Sequence, residues 1–143
     1  MYEGRIIRKG ELTFTDVLNK LSRQGLKKTG AITSFIGVVR DTSKKGEAVK
    51  GLHIEAWREA ADSTLNNIAK ELSAKSGISA VLIYHVEGDL KVGDDIVYVA
   101  VAGDHRDNVF PVLREAVERY KRESEIWKKE SLDSGDSYWV EEI

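Results

Sequence analysis

A chain of 143 residues with 41% hydrophobic and 32% charged side chains has the size and balance of one globular domain, here spanning 1–143. It has no cysteine, which excludes a disulfide framework, a thiolate metal site and a cysteine nucleophile, and its histidines at 53, 85 and 105 lack the spacing of a zinc motif. A net charge of -2 gives no global pull on nucleic acid, and no stretch approaches the ~18 apolar residues of a membrane span or the apolar core of a leader, so a cytoplasmic protein without metal or cofactor is expected.

Alternation from Tyr2 to Arg8 predicts a first strand. Thr13-Phe-Thr-Asp16 opens a helix carrying Val17, Leu18 and Leu21 at helical spacing, with Gly25 as its stop. Ala31 to Arg40 is β-branched and aromatic, a buried strand in which Gly37 marks a bulge or a close approach. The polar run Asp41 to Glu47 reads as a mobile loop beside Arg40. Lys50 to Trp57 is a further strand, and Glu59 to Lys75 a helix with Ala61, Leu65, Ile68, Ala69 and Leu72 inward, closed by Gly77.

Strands over Ile78–Val86 and Asp95–Ala102 flank a turn-rich link from Glu87 to Asp94. Asp107 or Asn108 caps a third helix whose inward stripe is Val109, Val112, Leu113, Ala116, Val117 and Tyr120, with Pro111 tolerated in its first turn. Short strands at Ile126–Lys128 and Tyr138–Val140, around a Ser134-Gly-Asp136 turn, end the chain. Hairpin-joined strands without crossover helices favour an α+β fold, a mainly antiparallel sheet with packed helices, over a doubly wound parallel one.

Four clusters carry possible chemistry. Phe35-Ile-Gly-Val-Val-Arg40 delivers an arginine to a loop boundary, which an ordinary surface strand end also does. Asp104-His105-Arg106 joins a strand end to a helix start and offers an anion site, or simply a cap. Lys121 and Lys128 stand seven apart: on one face if the helix runs on, or on a helix and a returning strand if it ends near Arg122. Two amines in one pocket suit proton transfer or covalent chemistry, whereas solvated lysines need no pocket. His85 and Glu87 alternate with Val86 and share a strand face, an arrangement a hydrogen-bonded structural histidine also explains. Phosphate-loop, dinucleotide and serine-elbow motifs are missing, which removes the common nucleotide-dependent and serine-hydrolase chemistries.

In order, Gly30-Ala31 with Phe35, Gly37 and Val39-Arg40, then His85, Gly88, Leu90 and Gly93-Asp94, then Asp104-His105-Arg106, Lys121, Ile126-Trp-Lys-Lys-Glu130 and Trp139-Val-Glu141 resemble the molybdopterin synthase catalytic (large) subunit family. The resemblance implies an α/β hammerhead-type fold with a small subdomain. It also implies a homodimer within a heterotetramer, each end holding a ubiquitin-like small subunit whose C-terminal Gly-Gly carries a thiocarboxylate. The implied reaction is sulfur transfer to cyclic pyranopterin monophosphate, a pterin phosphate. The alternative is a non-catalytic binding module for the same sulfur carrier.

By position in the family pattern, Lys121 and Lys128 are the catalytic lysines. Val38, Val39, Arg40, His105, Arg106, Lys129 and Glu130 join them in binding substrate, and Phe35 lines the pocket. The chain departs from the family at Val86, where arginine is usual, at Glu125, where proline is usual, and in ending at Ile143 without a tail arginine.

Overall fold

The computed structural model describes residues 1–23 and 27–141, the side chains of 22 and 23 excepted. Among them occur β1 (Tyr2–Arg8), α1 (Phe14–Arg23), β2 (Ala31–Val38), β3 (Val49–Ala56), α2 (Arg58–Ser73), β4 (Ile78–Lys91), β5 (Asp95–Gly103), α3 (Arg106–Glu123), β6 (Ile126–Leu132) and β7 (Ser137–Trp139). The helix stop expected at Gly25 lies outside the described residues.

Local chemistry explains the boundaries. The Thr13 N–H donates to Asp16 Oδ2 at 2.8 Å and the Asp16 N–H to Thr13 Oγ1 at 3.1 Å, a reciprocal cap that opens α1. The third helix is capped two residues before Asp107 and three before Asn108, the expected caps, and Pro111 falls inside it rather than in its first turn. His105 occupies the N-cap without a side-chain bond, while Asp104 Oδ1 accepts from the His105 N–H at 2.7 Å and from Asn108 Nδ2 at 2.8 Å. The Asn108 bond holds the Asp104 carboxyl below its ordinary range. The strand bulges between Gly37 and Val38, as its glycine suggested.

Strands β2, β5 and β4 pair antiparallel in that order, and β1 adds in parallel along the first part of β4, from Tyr2 opposite Val81 to Arg8 opposite Glu87. Side chains of α2 satisfy the outer edge of β1: Asn66 Oδ1 accepts from the Gly4 N–H at 3.2 Å and Asp62 Oδ1 from the Ile6 N–H at 2.7 Å. A Cβ at Gly4 would sit 2.3 Å from the Leu65 carbonyl oxygen, so glycine is what lets the helix lie on the strand. Leu65, Ile68 and Leu72 of α2 and Val109, Val112, Ala116 and Tyr120 of α3 bury the expected stripes.

The link expected from Glu87 to Asp94 is instead mostly strand. Beyond Glu87, β4 continues to Lys91, and Gly88 to Lys91 pair with Gly51 to Ile54 of β3. Gly88 has φ +114, a conformation open to glycine, so the chain bends from one sheet into another without ending the strand. Leu90 is buried while Asp89 and Lys91 face outward, an alternation that the turn-like composition concealed.

The second sheet runs on through β3, β6 and β7, all antiparallel. Alternation gives it two unlike faces. Leu52, Ile54, Lys128, Glu130 and Tyr138 point one way; His53, Glu55, Trp127, Lys129 and Trp139 point the other. On the second face His53 Nδ1 lies 2.6 Å from Asp89 Oδ1 and Nε2 3.1 Å from Glu55 Oε1. Asp89 foremost, then Glu55, raises the imidazole pKa above its ordinary value. Because the folded value is the higher one, this clasp stabilises fully below the unfolded pKa and is lost as pH rises through the folded one. Urea midpoints should therefore fall from about pH 6 to about pH 9 more in the native chain than in His53→Asn; equal falls would show that the clasp contributes nothing.

Candidate active site

Three elements meet where the two sheets diverge. The end of β2 and the residues after it supply Phe35, Val38, Val39 and Arg40; the last turn of α3 supplies Lys121; the inward face of β6 supplies Lys128 and Glu130. Together they line an open cavity of about 1060 Å³. The helix ends at Glu123, so Lys128 returns on a strand, and the two lysines reach the same space from different elements. Both also line a smaller adjoining cavity of about 220 Å³, with His85 and Tyr120.

Six cations border the larger cavity, Arg40, Lys44, Lys45, Lys121, Arg122 and Lys128, against the carboxylates of Glu118, Glu130 and Glu141. Lys121 and Arg122 occupy the helix's last turn, where the partial negative charge of the carbonyl ends favours cations. Tyr138 Oη donates to Glu130 Oε1 at 2.8 Å, which fixes that carboxylate at the cavity wall and raises the Tyr138 pKa. Apolar Phe35, Ile36, Val38, Val49, Leu52 and Val97 complete the walls. A site with this excess of cations attracts an anion.

Not every residue assigned by resemblance reaches this cavity. Lys129 lies on the opposite face of β6, with its Nζ 5.6 Å from the Trp139 ring centroid, because strand neighbours alternate. His105 and Arg106 stand at the start of α3, about 22 Å of helix axis from Lys121. Within one chain they do not line the cavity that holds the lysines.

Lys44, Lys45 and Tyr138 line the cavity although the motif reading passed over them. The polar run after Arg40 is a folded turn: buried Ser43 accepts at Oγ from the Lys45 and Glu47 N–H groups, at 3.2 and 3.1 Å, and its own N–H donates to the Glu47 carbonyl at 2.9 Å. A serine followed by two lysines, beginning three residues after a candidate arginine, was the available signal. Two family departures are also accommodated. Val86 is buried in the core, and Glu125 accepts from Thr64 Oγ1 at 2.7 Å, tying the start of β6 to α2.

Among the described residues no group of three or more His, Cys, Asp or Glu side chains is placed to hold a metal, and no helix is long and apolar enough to cross a membrane.

A cationic cavity between two sheets, with amines from a helix end and a strand, has the make-up of a site that holds an anion. The model of the MoaE protein family matches residues 7–123. The chain therefore belongs to the MoaE family, and several of its curated relatives are named molybdopterin synthase catalytic subunit. The molybdopterin synthase catalytic subunit of Thermoplasma volcanium is 30% identical over 87% of this chain and 88% of its own length. The curated relatives are covered to different extents, the chain spanning 42% of the probable molybdopterin synthase of Haloferax volcanii. The crystal structure of molybdopterin synthase from Staphylococcus aureus superposes with a TM-score of 0.82 at 28% identity, covering 99% of both chains. A chain from the complex of subunits 1 and 2 of the Helicobacter pylori molybdopterin-converting factor shares the fold, with a TM-score of 0.76 at 20% identity over 96% of this chain and 90% of its own.

Proposed function

We propose that this chain, acting as a single domain in the cytoplasm, transfers sulfur from the C-terminal Gly-Gly thiocarboxylate of a ubiquitin-like small subunit to cyclic pyranopterin monophosphate. The observation that carries the reading is that Lys121 and Lys128, from separate elements, line one cavity with Arg40. Its open mouth admits a peptide end, and its cations match both a thiocarboxylate and a phosphate. The chain has no cysteine on which to hold sulfur itself, so the sulfur must arrive on a carrier. The Helicobacter pylori neighbour, described as a two-subunit complex, is consistent with such a partner.

In this reading Arg40 and the lysines bind the substrate anion while the carrier sulfur attacks a pterin side-chain carbon. The Lys121 ammonium protonates the departing oxygen, and Lys128 stabilises the charge that develops. His105 and Arg106 enter only if two copies pair, the pair on one copy serving the cavity of the other. The exposure of Ile32 and Phe110, beside the start of α3, favours a homodimer formed at that end, within a heterotetramer.

Incubation with thiocarboxylated small subunit and cyclic pyranopterin monophosphate should yield molybdopterin. A stable complex with the small subunit but no product would overturn the catalytic reading in favour of a carrier-binding module.

A further inference from the structure

The proposed sulfur transfer leaves one bond unaccounted for. When a thiocarboxylate sulfur attacks carbon it becomes the bridge of a thioester, acyl–S–pterin, and the pterin sulfur is freed only when water cleaves the acyl side. That step needs a base for the water and cations for the tetrahedral oxyanion. Lysine ammoniums supply the second requirement and not the first.

His85 supplies the first. The side chain is 1% exposed, on the part of β4 that faces α3, and the residue borders the smaller cavity together with Lys121 and Lys128. Its Nδ1 lies 2.9 Å from the Val86 carbonyl oxygen. A carbonyl only accepts, so Nδ1 carries the hydrogen and Nε2 is the basic nitrogen of the ring. Tyr120 meets the ring edge to face, with centroids 5.6 Å apart, and sits immediately before Lys121 on α3, so imidazole and amine are positioned by the same helix turn. About 220 Å³ is room for several waters at ~30 Å³ each.

Resting on the sulfur-transfer reading above, we infer that His85 is the general base for hydrolysis of the carrier–pterin thioester. Nε2 takes a proton from water as its oxygen bonds to the acyl carbon. The tetrahedral oxyanion forms beside Lys121 and Lys128, the C–S bond breaks, and the electron pair leaves on the pterin sulfur as thiolate. The carrier departs as a carboxylic acid, which loses its proton to solvent.

The test is a quenched single turnover of the full chain with thiocarboxylated carrier and cyclic pyranopterin monophosphate, the carrier followed by intact mass. In His85→Gln the carrier–pterin adduct should accumulate and persist about a hundredfold to ten-thousandfold longer than with the native chain, as loss of a general base predicts. In Lys121→Ala the adduct should instead fail to form. Equal slowing of adduct formation and decay in His85→Gln would show a merely structural side chain and overturn the assignment. Should that variant not fold, the native chain decides: adduct decay must slow as falling pH protonates an imidazole, and a pH-independent decay overturns the assignment equally. A native chain that forms neither adduct nor product sinks the sulfur-transfer reading itself, an outcome distinct from all of these.

Discussion

Replacing Lys121 by alanine is expected to lower molybdopterin formation by about a hundredfold to ten-thousandfold, the range for loss of a positioned general acid. Stability should change by no more than about 0.5 kcal/mol, because the side chain is exposed on the last turn of α3 and supports no core contact. The two halves of the expectation separate chemistry from folding. Thermal unfolding of the variant checks the second, and product formed at saturating carrier checks the first. Lys121→Arg sharpens the test: a guanidinium keeps the positive charge but does not release a proton in the accessible pH range, so binding should survive while turnover does not. Turnover near the native rate in the arginine variant would reduce Lys121 to an electrostatic contact.

Mixed copies offer the second large effect. If His105 and Arg106 of one copy serve the cavity of its partner, Lys121→Ala and Arg106→Ala are each inactive alone, yet a heterodimer of the two has one site with both residues intact. Co-refolding equal amounts makes half the dimers mixed, with one working site in two, so activity should return to about a quarter of native. No recovery would mean either that the pair does not act across copies or that copies do not associate, and a molar-mass measurement on the same sample tells these apart. The experiment matters because the helix joining the two clusters is 18 residues long, which sets their separation within one chain.

Much of the fold was legible in local pattern. The reciprocal Thr13–Asp16 cap, the bulge after Gly37, the inward stripes of α2 and α3 and the hairpin-rich order follow from periodicity and capping chemistry, which act over a few residues. The passage from Glu87 to Lys91 misled because glycine and aspartate signal a turn in isolation. Pairing with β3 supplied the ladder bonds that made it a strand. At the site, residue type and order marked Arg40, Lys121 and Lys128, but local pattern carries no information about the distance between Arg106 and Lys121, nor about the loop that brings Lys44 and Lys45 to the cavity.

By itself, then, the sequence determined the element order, the cysteine-free chemistry and the family pattern that named two lysines. Only the tertiary structure decided which cations share a space. A strand that serves two sheets brought the last turn of α3 and the inward face of β6 to one cavity, the two-residue alternation of β6 turned Lys128 inward and Lys129 outward, and the length of α3 kept its two charged ends apart. Those outcomes depend on contacts between residues far apart in the chain, which local periodicity cannot encode.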